Sequence, residues 1–175
     1  MRNIILVGFM GSGKTTIAFE LSHRLNMRYV STDDLIEKSQ KCTINEIFTK
    51  KGEDYFRDVE TEAVRNACSM KNVIIDLGGG AVMRDENWES IKASGVAICL
   101  TADENTIMER TKKYKHRPLL NVEDPKQKIR NLMAKRAHLY AKADHCVDTG
   151  KLTVKQAVEK IAGIVEEYSR KAGTK

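Results

Sequence analysis

The feature that most constrains this chain is a glycine-rich segment that follows a short apolar run near its start. The run Ile4–Val7 leads into Gly8-Phe9-Met10-Gly11-Ser12-Gly13-Lys14-Thr15, which fits the pattern G-x-x-x-x-G-K-[ST]. Such a segment belongs between a strand and a helix, because its backbone N–H groups turn inward at a helix N-terminus. Ile17, Leu21 and Leu25 recur at helical spacing directly after it. We therefore predict a phosphate-binding loop between a first buried strand and a first helix.

The residue types of this loop predict the binding of a nucleotide together with a divalent cation. Its glycines let backbone N–H groups surround the phosphates, and the positive end of the next helix adds to the attraction. We expect the Lys14 ammonium to reach the β- and γ-phosphates and the Thr15 hydroxyl to ligate Mg²⁺. The candidate nucleotide-binding residues of the loop are Gly11, Ser12, Gly13, Lys14, Thr15 and Thr16. The motif predicts the ligand and leaves open what is done with it.

Short apolar runs alternate with helical patterns along the rest of the chain, which is typical of strand–helix units in a parallel sheet. The length of 175 residues suits one domain, since domains usually take roughly 100–200 residues. We therefore predict a single α/β domain over residues 1–175. The candidate strands are Asn3–Val7, Arg28–Ser31, Val73–Leu77, Gly95–Leu100 and a weaker Cys146–Asp148.

Charge and apolar content narrow the class of partner. Lys and Arg total 30 and Asp and Glu total 24, so the formal net charge of +6 permits an anionic partner. Basic and aromatic residues do not interleave as they do in nucleic-acid-binding segments, so a phosphorylated metabolite is favoured over nucleic acid. No apolar run approaches the ~20 residues of a membrane span, and Lys14 interrupts any resemblance to a signal peptide. We expect a cytoplasmic monomer that binds no membrane.

A second motif offers an alternative function. Asp76-Leu77-Gly78-Gly79 fits the D-x-x-G pattern of GTP-dependent switches, again at the end of a predicted strand. Such switches also use N-K-x-D to recognise guanine, and this pattern occurs nowhere in the chain. A non-catalytic nucleotide switch is therefore the weaker interpretation.

Two arginines lie at positions where a positive charge is unfavourable for folding unless an anionic group pairs with it. Arg136 falls inside the apolar stripe of a helix predicted over 124–143, where a guanidinium must reach solvent or find a carboxylate or phosphate. Arg57 lies near the start of another helical pattern, where its charge opposes the helix dipole unless Glu53 or Asp54 neutralises it. Together with Arg117, which stands directly before Pro118, and beside a phosphate loop, these arginines indicate a second anionic ligand.

A basic segment that contains both prolines of the chain predicts a surface loop. The stretch between Pro118 and Pro125 has little periodicity, and Arg117 stands directly before it. Next to a phosphate loop, we interpret residues 112–125 as a lid.

Taken together, these motifs resemble the shikimate kinase family. The resemblance runs in order and spacing from Ile4 to about Asp148, and its combination of motifs is specific although the phosphate loop alone is generic. The motifs that carry it, besides the loop and Asp33, are Phe56-Arg57-Asp58, Gly78-Gly79-Gly80, Arg117-Pro118-Leu119-Leu120 and Arg136-x-x-Leu139-Tyr140.

The resemblance implies ATP-dependent phosphorylation of the 3-hydroxyl of shikimate, with Mg²⁺, on the pathway to chorismate and the aromatic amino acids. It implies a three-layer P-loop kinase fold with a five-stranded parallel sheet, and an acceptor-binding segment over residues 33–62. The shikimate carboxylate would bind Arg57 and Arg136, and the ring hydroxyls would bind Asp33 and the glycine run Gly78, Gly79 and Gly80. Arg110 would face the adenine. Lys14, Asp33 and Arg117 would be the catalytic residues, with Arg117 contributed by the lid.

The chain departs from the family pattern at one position. The family usually has Asp-x-Asp after the second strand, and here the same stretch is Ser31-Thr32-Asp33. Asp34 is adjacent but is expected to face away, as alternate residues do in an extended segment. Asp76 ends the predicted third strand and is the candidate to supply the missing charge beside Thr15, although it could instead only accept backbone hydrogen bonds.

One enzymatic alternative stays open on the sequence alone. Another small-acid kinase of the same general type, such as a gluconate kinase, would use a similar loop and similar arginines. A comparison of shikimate, gluconate and nucleoside monophosphates as acceptors would separate these activities.

Overall fold

The computed structural model describes residues 2–112 and 124–173. Its strands are β1 (Asn3–Gly8), β2 (Arg28–Ser31), β3 (Val73–Asp76), β4 (Gly95–Thr101) and β5 (His145–Asp148). Its helices are α1 (Lys14–Leu25), α2 (Thr32–Gln40), α3 (Ile44–Ser69), α4 (Asp85–Ser94), α5 (Glu104–Thr111), α6 (Pro125–Tyr140) and α7 (Val154–Gly173), with a 3₁₀ turn at Ala81–Met83. Within the described ranges, no helix combines the length and the apolar character that crossing a bilayer requires.

The five strands form one parallel sheet in the order β2-β3-β1-β4-β5. All five predicted strands are confirmed, and their ends move by one residue at most. The helix that follows β1, α1, packs on one face of the sheet, and the helix that follows its neighbour β3, α4, packs on the other. The loops after these two strands therefore diverge to opposite faces and open a crevice at the carboxyl edge, which is where ligands bind in sheets of this kind.

Alternate residues of the central strand supply two separate apolar layers. Ile5 and Val7 pack with Val64 and Ile91 on one face of the sheet. Ile4 and Leu6 belong to a second cluster on the other face, which includes Leu21 of α1 and Ile161 of α7. Because both faces of the sheet are covered by helices, the central strands β1, β3 and β4 are buried and mainly apolar, as in other parallel sheets, whereas the edge strands β2 and β5 are partly polar and partly exposed. The predicted three-layer α/β architecture is confirmed.

The start of α2 corrects the prediction for Asp34. The Ser31 hydroxyl accepts a hydrogen bond from the Asp34 N–H at 3.1 Å and caps the helix, so Asp33 and Asp34 lie in its first turn. The expected extended segment is therefore wrong. A serine followed by two acidic residues is a helix-start signal, because the side-chain oxygen and the acidic charges both satisfy the helix N-terminus.

Helix α3 is interrupted at Gly52, which separates two helical segments at an angle set by its backbone. Gly52 has φ 84° and ψ 174°, a conformation that is essentially confined to glycine. The first segment begins at a capping box formed by Thr43 and Glu46. The second segment begins beside Glu53, which places Arg57 about one turn inside it.

Candidate active site

The loop after β1 is shaped by glycines with left-handed backbone angles. Gly11 has φ 77° and Gly13 has φ 93°, and Gly13 is the N-cap of α1. The Lys14 ammonium folds back over the loop and donates to the carbonyl oxygens of Gly8 at 3.0 Å and Phe9 at 3.4 Å. Ser12 is fully buried, and its hydroxyl has no hydrogen-bond partner within the described part of the chain. The loop lines a cavity of about 640 Å³.

The carboxylate of Asp76 faces this loop from the end of β3. The Thr15 hydroxyl donates to Asp76 Oδ2 at 2.6 Å, and the Tyr29 hydroxyl lies 3.4 Å from the same oxygen. Burial raises the pKa of Asp76, against the opposing effects of the Lys14 charge and the Thr15 hydrogen bond. Burial and the charge of Asp76 together raise the pKa of Tyr29 to about 12.

Thr15 and Asp76 also provide a donor set that fits Mg²⁺. This ion prefers hard oxygen ligands and binds proteins through one or two carboxylate or hydroxyl groups together with substrate phosphates. A hydroxyl and a carboxylate oxygen within hydrogen-bond distance of each other, on the wall of the loop cavity, meet that requirement.

Arg110 and Thr149 hydrogen-bond to backbone carbonyl groups of the loop. The Arg110 guanidinium donates to the carbonyl oxygen of Gly11 at 3.3 Å and to the Thr149 hydroxyl and carbonyl at 3.1 and 2.9 Å. Thr149 is buried and donates in turn to the carbonyl oxygen of Ser12 at 2.8 Å. Sequence analysis missed Thr149, although its place directly after β5 put it at the carboxyl edge of the sheet.

A second cavity, of about 580 Å³, adjoins the first. Met10, Asp33, Gly78 and Gly79 line both cavities. Asp33 therefore lies at the junction of the two cavities, and its carboxylate lies directly beside Gly78. A Cβ at Gly78 would lie 2.8 Å from Asp33 Oδ1.

Arg57 lines the second cavity with its charge already partnered. Its guanidinium donates to Glu60 Oε2 at 2.6 Å and to Glu53 Oε1 at 2.9 Å. Only 2% of Glu60 is exposed, and this burial raises its pKa to about 7 in spite of the adjacent Arg57. A Cβ at Gly80 would overlap the guanidinium, so the glycine makes room for the pair. Sequence analysis named Glu53 as a neutralising group but missed Glu60, which lies one helical turn beyond Arg57.

Arg136 reaches the same cavity from α6 and is less fully bonded. It is 4% exposed, and one terminal nitrogen donates to the carbonyl oxygen of Gly79 at 3.2 Å. Its Nε is buried without a hydrogen-bond partner among the residues described. The Tyr140 hydroxyl donates to the same Gly79 oxygen at 2.8 Å and holds that carbonyl in place. The guanidinium in the apolar stripe thus bonds a backbone carbonyl, and its hydrogen-bonding capacity is only partly used among the described residues.

The structure brings most of the predicted site residues to these two joined cavities. The residues of the nucleotide loop, with Arg110 and Asp76, surround the first; Arg57, Gly80 and Arg136 line the second; and Asp33, Gly78 and Gly79 lie between them. Arg117 falls outside the described residues, as does most of the predicted lid over 112–125.

A five-stranded parallel sheet with this loop at its carboxyl edge defines an α/β P-loop kinase fold. A family model described as shikimate kinase matches residues 10–166. The chain belongs to the shikimate kinase family.

Individual relatives agree with this assignment over the whole chain. A shikimate kinase of Thermodesulfovibrio yellowstonii is 46% identical over 170 residues, which cover 97% of this chain and 96% of that protein. The solved shikimate kinase from Acinetobacter baumannii in complex with shikimate superposes with a TM-score of 0.92 at 35% identity, covering 96% of this chain and 94% of that one. Shikimate kinase from Bacteroides thetaiotaomicron gives a TM-score of 0.87 at 27% identity, covering 94% and 98%.

Proposed function

We propose that this protein transfers the γ-phosphoryl group of ATP to the 3-hydroxyl of shikimate, on the pathway to chorismate and the aromatic amino acids. The observation that carries the proposal is the meeting of two cavities at Asp33, Gly78 and Gly79, one built around a phosphate loop and the other around two buried arginines. A nucleotide and a small anionic acceptor can therefore lie side by side, with the Asp33 side chain at the junction and Met10 also lining both spaces.

The second cavity suits a compact carboxylate. A buried guanidinium N–H without a partner is costly, and an anionic ligand that accepts from it recovers that cost. A planar carboxylate matches the fork of guanidinium donors better than a single point charge would. Arg136 lines this cavity and is hydrogen-bonded to the Gly79 carbonyl, while Glu53 and Glu60 fix the orientation of Arg57 beside it.

Asp33 is the residue we assign to the attacking hydroxyl. It lies at the junction of the cavities, where a ring hydroxyl would approach the terminal phosphate. Phosphoryl transfer depends mainly on positioning and charge stabilisation. A carboxylate here orients the hydroxyl and accepts its proton.

The nucleotide side of the site stabilises negative charge. Lys14 and the loop N–H groups would bind the phosphates, and Arg110 and Thr149 hydrogen-bond to the backbone of the loop. Thr15 and Asp76 would hold Mg²⁺, which when bound neutralises charge on the phosphate oxygens. Arg117 is proposed to add a further positive charge from the lid, and residues 33–62 to form the acceptor-binding segment.

Location and assembly remain predictions within this proposal. We expect the enzyme to act in the cytoplasm as a monomer that binds shikimate and neither nucleic acid nor membranes. Cell fractionation and sedimentation of the purified protein measure the two properties directly.

A coupled assay of ADP release tests the acceptor. Shikimate, gluconate and nucleoside monophosphates are each supplied with ATP and Mg²⁺, and we expect turnover with shikimate alone. Turnover on gluconate without turnover on shikimate would overturn the proposal, as would tight RNA binding in a salt titration without any kinase activity. An assay without acceptor measures the background hydrolysis of ATP.

A further inference from the structure

We propose that Thr32 is a positioning residue for the transfer reaction. Its hydroxyl fixes the start of α2, and with it the Asp33 carboxylate, against the segment that follows β3. The inference rests on the proposed function, because Asp33 is the residue assigned there to the attacking hydroxyl. Thr32 is 0% exposed, so it acts through its neighbours and not by contact with a ligand.

The Thr32 hydroxyl is hydrogen-bonded both as a donor and as an acceptor. It donates to the carbonyl oxygen of Asp76 at 3.3 Å and accepts from the Gly78 N–H at 3.0 Å. These two backbone groups lie on either side of Leu77, which directly follows β3. A single buried side-chain oxygen therefore joins the start of α2 to the first residues after the third strand.

The bond to Gly78 replaces backbone pairing at the point where the sheet stops. The last register pair of β2 and β3 is Ser31 with Asp76, so Thr32 and Leu77 would come next. In a longer parallel strand, the Thr32 carbonyl would accept from the N–H one residue beyond Leu77, which is that of Gly78. The chain turns into α2 at Thr32, where carbonyl groups point along the helix axis. The side-chain hydroxyl accepts the Gly78 N–H in place of that carbonyl.

Gly78 connects the Thr32 hydroxyl with the Asp33 carboxylate. A Cβ at Gly78 would lie 2.8 Å from Asp33 Oδ1, so the carboxylate can come this close only because position 78 is a glycine. The N–H of the same glycine donates to Thr32. Asp33 is the next residue after Thr32, in the first turn of α2. The Thr32 bond therefore holds the Asp33 carboxylate at the junction of the two cavities.

The position of Asp33 matters more for the rate than for the fold. A misplacement of about 1 Å in a reacting geometry can cost on the order of 100-fold in rate. Without the Thr32 hydroxyl, the Gly78 N–H must find another partner, and we expect the first turn of α2 to move away from the glycine run. The nucleotide loop is held by other bonds, those of Arg110 and Thr149, so nucleotide binding should change little.

The experiment compares Thr32→Val, which removes the hydroxyl and keeps the branched shape, with Thr32→Ser, which keeps the hydroxyl. Thr32→Val should lower kcat by roughly 10–100-fold, with the KM for shikimate and the dissociation constant for ADP within about threefold of the wild type. Thr32→Ser should recover most of the loss. Assays at saturating ATP and Mg²⁺ and calorimetric titration with ADP measure these effects. Thr32→Ser as slow as Thr32→Val, or ADP binding weakened as much as kcat, would overturn the proposal.

A double-mutant cycle with Asp33→Asn separates positioning from a general loss of structure. If Thr32 acts through the Asp33 carboxylate, Thr32→Val should lower the residual kcat of Asp33→Asn by less than about threefold. Losses that multiply in the double variant would overturn the proposal. If Thr32→Val does not fold, as judged by thermal unfolding, Thr32→Ala takes its place in the same cycle and decides the question.

Thr111→Val is the matched control, because it makes the same chemical change at another buried threonine. The Thr111 hydroxyl donates to the Ile107 carbonyl within α5 at 2.7 Å. This variant should keep kcat within about threefold of the wild type. A loss as large as that of Thr32→Val would show that removal of any buried hydroxyl slows the enzyme, and would overturn the proposal. Turnover of shikimate by the wild type tests the proposed function separately from these comparisons.

Discussion

At the scale of single residues, the two buried arginines of the second cavity, Arg57 and Arg136, differ in how fully their donor groups are hydrogen-bonded. Arg57 has two carboxylate partners, Glu53 and Glu60, at 2.9 and 2.6 Å. Arg136 donates to a single backbone carbonyl and keeps its Nε free of any partner among the described residues. We infer that Arg136 provides most of the carboxylate affinity and that Arg57 is a positioned neighbour.

Replacing Arg136 should therefore weaken shikimate binding far more than nucleotide binding. Arg136→Ala removes a charge-assisted pair of about 1.5–3 kcal/mol, which corresponds to roughly 10–100-fold in the dissociation constant for shikimate. The affinity for ADP should change by less than about threefold. Calorimetric titration with each ligand measures both effects. Arg136→Lys keeps the charge without the fork and should restore only part of the loss; full restoration would contradict the assignment.

The buried Glu60 should make stability depend on pH. Its pKa is raised from an ordinary 4.5 to about 7, mainly by burial. Between these two pH values, Glu60 of the folded protein therefore holds a proton that the unfolded chain has released. Stability from this group is therefore complete below about pH 4.5 and is lost as the pH rises to about 7.

Glu60→Gln tests this effect by urea denaturation at pH 5 and pH 7.5. Between pH 5 and pH 7.5, the free energy of unfolding of the wild type should fall by on the order of 1–3 kcal/mol more than that of the variant. Glu53→Gln is the matched control, because it removes the other and half-exposed carboxylate of Arg57. Its stability should follow pH as that of the wild type does. Equal pH dependence in wild type and Glu60→Gln would show that Glu60 is ionised in the folded state.

At the scale of helices and strands, the elements that the sequence predicts best are those determined by neighbouring residues in the chain. The three central strands could be predicted because buried parallel strands are continuous apolar runs bounded by polar or glycine residues, and the edge strands β2 and β5 gave a weaker signal because they are short and partly polar. Helix α2 was missed, although the Ser31 cap and the acids behind it mark its start. The first segment of α3 was missed as well, because Gly52 breaks the periodicity that joins it to the second.

Gly52 fixes the angle between the two segments of α3, and its substitution should cost stability through the backbone alone. A Cβ at this position meets nothing within 4 Å, so Gly52→Ala causes no clash. Its backbone angles are nevertheless unfavourable for alanine by about 1–3 kcal/mol. Urea denaturation should show a loss of that size.

Gly163→Ala is the matched control for this prediction. Gly163 lies within α7, and a Cβ there also meets nothing within 4 Å. Because its backbone is helical, alanine should stabilise the protein by about 0.5–1 kcal/mol. If Gly52→Ala lowers the free energy of unfolding and Gly163→Ala raises it, the backbone conformation of Gly52 is the cause. No change in Gly52→Ala would show that the helix interruption does not require the glycine conformation.

At the scale of the whole molecule, the site is made where loops after neighbouring strands diverge. The loop after β1 forms the nucleotide cavity, the loop after β3 forms the shared wall at Gly78 and Gly79, and α3 and α6 bring the arginines. The nucleotide half could be predicted from the sequence, since one contiguous motif encodes it. Glu60 lies one helical turn from Arg57, so spacing alone could have paired them, whereas Thr149 could not be predicted because its bond to Ser12 joins distant segments of the chain.

The predicted lid, residues 112–125, lies in sequence between two helices that each contribute to one cavity. The preceding helix α5 carries Arg110 beside the phosphate loop, and the following helix α6 carries Arg136 in the second cavity. At its far end Asp124 caps α6 by accepting from the Gln127 N–H at 2.9 Å. We expect a segment between these two helices to respond to both ligands, and Arg117 stays its candidate catalytic residue.

Arg117→Ala should therefore act on the rate and spare the binding of the acceptor. In catalysed phosphoryl transfer an added arginine contributes roughly 10³–10⁵ in kcat, because its partner charge develops only as the phosphoryl group moves. We expect a fall of about 10³-fold or more in kcat with a smaller change in the KM for shikimate. Lys115→Ala removes a positive charge from the same segment and should keep kcat within about threefold. A change confined to KM in Arg117→Ala, or an equal loss of kcat in Lys115→Ala, would show that the lid contributes general positive charge and no specific catalytic arginine.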